Sequence, residues 1–199
     1  MVWSASERYG VAAAPEGLVL IQDFLNTRPR GKPATPDLLG TVRQAQRWTD
    51  EALRQWCDDT ARVYRRVRLM KADVTSLIEL RTGLAAALLG GDGAGLPMTG
   101  KLAEATICAQ IGAQGRVQLQ PLGAGADWIT AALAIEMSQA HIAGTWRRLK
   151  ACHNLRCPAV FYDRSPNNAG VWHDVRTCGN VANLRASRAR RRMAAARPH

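Results

Sequence analysis

Residues 151–192 read ACHNLRCPAVFYDRSPNNAGVWHDVRTCGNVANLRASRARRR. Within them stand Cys152-x4-Cys157, fifteen intervening residues, and His173-x4-Cys178. Two close ligand pairs joined by a stretch of hairpin length meet the needs of a tetrahedral zinc ion. Each pair wraps part of the ion, and the chain between them brings the second pair back. Three thiolates and one imidazole complete the shell, so the implied cofactor is one structural Zn²⁺ with no open catalytic position. Reduced core thiols and a redox pair are the competing readings, because a buried cysteine is often only a small apolar side chain. Three of the five cysteines within 27 residues favour metal. His153 competes with Cys152 for the shell. Adjacent residues rarely both point at one ion, so a solvent-facing place suits it better. Cys57 and Cys108 stand alone in apolar patterns and read as core.

A module of about 50 residues has little core of its own, and metal binding supplies the missing stability, on the order of 10–16 kcal/mol in zinc-finger peptides. Val160, Phe161 and Tyr162 make a strand, Asp163 to Asn168 a turn-rich loop, and Trp172 is expected to pack over the site. Beyond Cys178 the sequence GNVANLRASRARRRMAAARPH is rich in Ala and Arg, which predicts a helix over 181–196 capped by Asn180. Arg185, Arg188 and Arg192 form one stripe on it, Arg191 flanks the stripe and Arg190 points more to the other side. Val181 and Leu184 are placed to pack back on the zinc module. Guanidinium groups pair bidentately with phosphates and guanine edges, so these five arginines are the candidate nucleic-acid contacts.

The charge distribution points the same way. The chain carries 27 Lys/Arg against 16 Asp/Glu, a net of +11, and residues 147–199 hold 12 of the bases against only Asp163 and Asp174. Residues 1–146 are nearly neutral. A cationic last quarter seeks a polyanion, with nucleic acid first and an anionic membrane second; a solvated basic tail is the plainer alternative. Single-stranded RNA readers present aromatics for stacking, and none follows Trp172, which favours a duplex. No run of about 18 apolar residues is present to cross a membrane. The N-terminal MVWSASERYGVAAAPEG lacks the basic start and apolar core of a secretory signal. With an odd cysteine count, these features suggest a reducing cytoplasm.

Upstream, LVLIQDFLNT at 18–27 is compatible with a buried strand or the first turns of a helix. Asp23, Asn26 and Thr27 make a polar cluster inside this apolar run. They are either ligand-pocket candidates or groups that satisfy buried backbone and helix ends. RPRGKPATP at 28–36 is a loop. A helix is expected to start at 35–37 with Leu38, Leu39, Val42 and Ala45 at helical spacing. A second, capped by Thr49 or Asp50, carries Leu53, Trp56 and Cys57. A third runs from about 73 to 90. After the loop GGDGAGLPMTG at 90–100, alternation at 107–111 and 117–119 around Gln114-Gly115 predicts a β-hairpin. A helix capped by Asp127 follows to about 143. The fold class is therefore mainly α with a small β-hairpin, followed by a zinc-bound β-hairpin plus helix, divided at 1–145 and 146–199.

The second module resembles the CGNR zinc-finger family. The likeness is carried by Cys152-x4-Cys157, the strand ending in Asp163, the Ser165/Asn167 loop, Trp172, and Cys178-Gly179-Asn180 before a basic helix. His173 stands where the family usually has cysteine, and Val181 where it has arginine. The upstream part resembles the ABATE domain, through LVLIQDFLNT and the hairpin-then-helix order. The resemblance implies a bacterial transcription regulator that binds double-stranded DNA. Its first domain would sense a small-molecule effector or form a homodimer. An RNA- or ribosome-associated protein is the alternative. With His141 as its single histidine and no nucleophile or carboxylate constellation, the first domain does not read as an enzyme.

Overall fold

LVLIQDFL resolves as a helix. In the computed structural model, which describes residues 3–31, 34–89, 102–112, 115–154, 156–181 and 184, α2 (Leu18–Leu25) follows a single turn, α1 (Ser4–Glu7). All eight residues of α2 are buried. A helix that is apolar all round belongs at the centre of a fold, and α2 touches α1, the three long helices and the C-terminal hairpin. Its polar side chains are therefore bonded internally. The Gln22 amide accepts from Ala14 N–H (2.6 Å) and donates to Ala12 C=O (3.1 Å).

The next helix, α3 (Val42–Asp59), is one continuous element, where the sequence predicts two helices that begin near 35–37 and near 50. Asp37 explains the first difference. Its carboxylate accepts Leu39 N–H at 2.8 Å and the Arg81 guanidinium at 2.7 Å on both oxygens. That anchors residues 37–40 as a turn. Thr41 then caps α3, accepting from Gln44 N–H. No breaker lies between 42 and 59, and Ala45, Trp48, Ala52, Leu53 and Trp56 continue one buried stripe. Thr49 is fully buried within it and caps nothing.

Helix α4 spans Lys71–Leu89 and helix α5 spans Gly125–Ile142. Asp73 joins their starts, accepting Met70 N–H (2.7 Å) and Ala126 N–H (2.9 Å). Ala124 occupies the N-cap of α5, and Asp127, expected as the cap, sits in the first turn, where its charge still complements the helix dipole. Between them β1 (Ile107–Ile111) and β2 (Val117–Pro121) pair antiparallel, Ile107 opposite Pro121 and Ile111 opposite Val117, as the alternation predicts. Gln114 lies outside the described residues, as do residues 90–100. Cys57 is buried; Cys108, expected in the core, is only half-buried because the hairpin stands out from the helices.

Aromatic side chains fill the helical core. Phe24 and Trp48 lie 5.7 Å apart, and Trp56 meets Trp128 edge-on at 6.1 Å. Trp56 Nε1–H finds the buried Glu136 carboxylate at 2.8 Å. The chain ends in a second hairpin, β3 (Leu149–Ala151) with β4 (Val160–Tyr162), whose Leu149 and Val160 belong to this same core. The fold is thus mainly helical with two small antiparallel sheets. Among the described residues no helix is long and apolar enough to cross a membrane.

Candidate metal centre

Cys152 directly follows β3, and Cys157 lies in the connection to β4. A tight turn draws them together: Cys157 N–H donates to Asn154 C=O (2.6 Å) and Cys152 N–H to Ala159 C=O (2.9 Å). The second pair comes from the opposite side. His153 N–H donates to Val171 C=O (3.0 Å), bringing Trp172 and His173 beside the first pair. Asp174 then starts the π-helical turn Val175–Gly179, its carboxylate accepting Arg176 N–H (2.6 Å) and Thr177 N–H (3.1 Å). That turn delivers Cys178. These bonds, Thr177 foremost, hold the Asp174 carboxyl below its ordinary range. Asn180, expected as a cap, is itself in helical conformation (φ −60°, ψ −41°), so capping falls to Asp174 six residues earlier.

The four side chains converge, with the ligand atoms of Cys152, Cys157, His173 and Cys178 all within 4.8 Å of one another. Cys157 Sγ lies 3.5 Å from His173 Nδ1. Zn–S bonds of about 2.3 Å and Zn–N bonds of about 2.0 Å imply tetrahedral edges of about 3.5–3.8 Å, so the donor set fits zinc. The thiols themselves call for a cation. A hydrogen bond from Cys157 favours the Cys152 thiolate. The same contact, with burial, pushes the Cys157 thiol far up. Crowded thiols of this kind lose all their protons together only around a metal. Cys152 and Cys178 are buried while Cys157 and His173 are half-buried, and the closed donor set makes this one structural zinc site.

The shell around the ligands is built from residues that spacing did not single out. Asn154 Nδ2 donates to Cys178 Sγ at 3.3 Å, the kind of outer bond that orients a thiolate. Tyr9, from the far end of the chain, packs on Cys152 and Cys178 with Val11 and Trp172, and its hydroxyl donates to Arg28 C=O at 2.9 Å. Trp172 does cover the site, and it lies against Gly179. A Cβ there would stand 3.1 Å from the indole Cδ1. His153 is exposed and meets Trp172 edge-on, away from the cluster.

The loop of the hairpin is organised by Asp163. It accepts Lys150 Nζ (2.7 Å), Gly170 N–H (2.7 Å) and Ser165 N–H (2.9 Å). A Cβ on Gly170 would come within 2.8 Å of the carboxylate, so only glycine fits. Burial alone would raise the Asp163 carboxyl; the bonds from Lys150, Ser165 and Gly170 outweigh it and hold the group well below the usual range. Because the folded value is depressed, its stabilisation is complete at neutral pH and is lost on acidification below about pH 4. Asp163→Ala should destabilise the protein by about 2–4 kcal/mol at pH 7, since it removes the carboxylate partner of a half-buried ammonium and leaves two loop amides without an acceptor. Thermal unfolding checks this, and a loss under 0.5 kcal/mol would show the loop to be held by other contacts.

Asp23, Asn26 and Thr27 are buried, and their side chains are bonded within the protein. Asp23 accepts Ser6 N–H (2.7 Å) and Trp48 Nε1–H (2.9 Å). Thr27 donates to Phe24 C=O (2.6 Å) and accepts from Arg81 (2.9 Å). Asn26 donates to Val160 C=O (2.9 Å) and Ser6 Oγ (3.2 Å), and its oxygen accepts Val160 N–H (2.8 Å). The cluster clamps α1, α2, α3 and β4 together.

Val181 and Leu184 are exposed instead of packing on the zinc module, since the cluster is already covered by Tyr9 and Trp172. Arg185, Arg188, Arg190, Arg191 and Arg192 lie outside the described residues.

Residues 148–191 match the CGNR zinc finger family. The matched span begins one residue before β3 and includes all four ligands. Comparison with curated proteins gave no match to the chain.

Proposed function

We propose that this protein is a transcription regulator that binds double-stranded DNA through the zinc-held module and the Arg-rich segment after it. One observation carries the reading. Residues 147–199 contain two acids, Asp163 and Asp174, and the module occupies both. Asp163 holds Lys150 and two loop amides, and Asp174 caps the turn that carries Cys178. Arg185, Arg188, Arg190, Arg191 and Arg192 thus follow a module with only two acids, an excess of positive charge that a polyanion would meet. Arg147, Arg156 and Arg176 add exposed charge on the module itself. Arg148 and Lys150 do not, because their side chains serve the Asp163 loop: Arg148 donates to Asp163 C=O and Ser165 C=O at 2.9 Å, and Lys150 to Asn168 C=O and Gly170 C=O.

On this reading the zinc sets the direction in which the chain leaves Asn180. The arginines beyond it supply phosphate contacts, which give affinity, and groove contacts, which give sequence preference. The helical core is the part available for an effector or a second copy.

The test is binding of the full-length zinc protein to a random duplex library and, in parallel, to structured RNA, across a salt series. One enriched duplex motif, with affinity falling steeply as salt rises, is the expected result. Replacing Arg185, Arg188 and Arg192 together by Ala should reduce the slope of log affinity against log salt by roughly 2–3, about 0.9 for each lost phosphate contact. Enrichment of RNA alone would favour the RNA-associated reading, and an unchanged slope would move the contact surface elsewhere.

A further inference from the structure

We infer that β1 is a dimer edge: two copies of this chain join β1 to β1, antiparallel, to make one four-stranded sheet. The bonds that flank the β1–β2 ladder set its phase. Leu122 N–H donates to Thr106 C=O (3.0 Å) and Gly112 N–H to Arg116 C=O (2.9 Å). Pair types alternate along an antiparallel ladder, so Thr106, Cys108, Gln110 and Gly112 turn their backbone groups toward β2. Ile107, Ala109 and Ile111 turn theirs to the opposite edge, where they meet no partner among the described residues. The other edge of the sheet is engaged, with Arg62 donating to Leu119 C=O at 2.6 Å.

An open strand edge is usually blunted by proline, charge or a bulge, and ICAQI has none of these. The strand is also its own complement. With Ala109 on a two-fold axis, Ile107 faces the partner's Ile111 and Cys108 faces the partner's Gln110. All three outward residues then pair through their backbones with outward residues of the other copy. Ile111, 77% exposed at the hairpin tip, is carried alongside the half-buried Ile107 of the second copy.

Charge selects a second copy as the occupant. A chain of net +11 repels itself over most approaches, yet between Glu104 and Asp127 the only charged residue is Arg116. The antiparallel register carries each exposed Arg116 toward the end of the sheet that bears the other copy's exposed Glu104.

Sedimentation or light scattering of the full-length zinc protein at 10–100 µM should show a dimer. Ile111→Lys, an exposed position, should shift it to monomer. Ala109→Pro should do the same, since that outward N–H meets no partner among the described residues. Gln110→Cys supplies a positive readout: mild oxidation should cross-link it to Cys108 of the second copy, and adding Cys108→Ser should abolish the cross-link. A monomer at 100 µM would overturn the inference. So would a dimer indifferent to both edge substitutions that gives no Cys108-dependent cross-link. Neither readout involves DNA, so failure here leaves the DNA-binding reading standing.

Discussion

Cys178→Ser should release the zinc and unfold the module that it closes. Serine retains the size but not the soft thiolate, and the three remaining ligands no longer complete a tetrahedral shell. The metal term in small zinc modules, on the order of 10–16 kcal/mol, is comparable to the whole stability of a typical domain, about 5–15 kcal/mol. The ligand-bearing segments have little apolar packing of their own beside the metal. The second buried cluster is only Tyr9, Cys152, Ala159 and Cys178, with Val11, Cys157 and Trp172 against it. The loss spreads because Leu149 and Val160 also belong to the helical core. A fall in Tm of about 6–12 °C follows from losing about 3 kcal/mol of that packing. Trypsin should then cut quickly at Arg156 and Arg176, which lie in the exposed turns of the module. Cys57→Ser is the control. Cys57 is buried in α3, so it should cost some stability while the zinc content stays unchanged. A Cys178→Ser protein that kept its zinc and resisted trypsin would show that the ligand set is wrong.

Asn26→Ala should be the most damaging single change outside the metal shell, at about 3–5 kcal/mol. Asn26 is fully buried, and its side chain makes three bonds, two of them to the backbone of Val160, 134 residues away. Alanine removes these and leaves a buried N–H and C=O of β4 without partners. Each such stranded group costs about 1–3 kcal/mol. Because the bonds join α2 to the finger's second strand, the variant should also show faster amide exchange along β4 while still binding one zinc per chain. Asn167→Ala, at an exposed loop position, should change stability by less than about 0.5 kcal/mol. Equal effects at the two positions would remove Asn26 as the link between the core and the finger.

The ligands were readable in the sequence because metal chemistry is local. Two pairs at x4 spacing determine the donor set whatever the rest of the chain does. The β1–β2 hairpin was readable for a similar reason, since its strands are neighbours and their alternation is complete. Tertiary partners decided the rest. Asp37 looked like part of a helix start and became a turn anchor, because Arg81 lies across from it. Asp23, Asn26 and Thr27 were visible as polar residues in an apolar run. Whether they faced a ligand or the protein depended on Ser6, Trp48, Arg81 and Val160, none of them near in sequence. Tyr9 carries no local sign that it covers a cluster 143 residues away. Nor does Asp174 announce a cap, because the turn it starts is π-helical and outside the usual capping pattern.

Zinc-edge X-ray absorption on the purified full-length protein, with metal content measured in parallel, tests the central claim most directly. One zinc per chain, with three sulfurs near 2.3 Å and one nitrogen near 2.0 Å, is the result that this arrangement of Cys152, Cys157, His173 and Cys178 requires. A shell containing a water oxygen or a fourth sulfur, or a module that is fully ordered without metal, would contradict it.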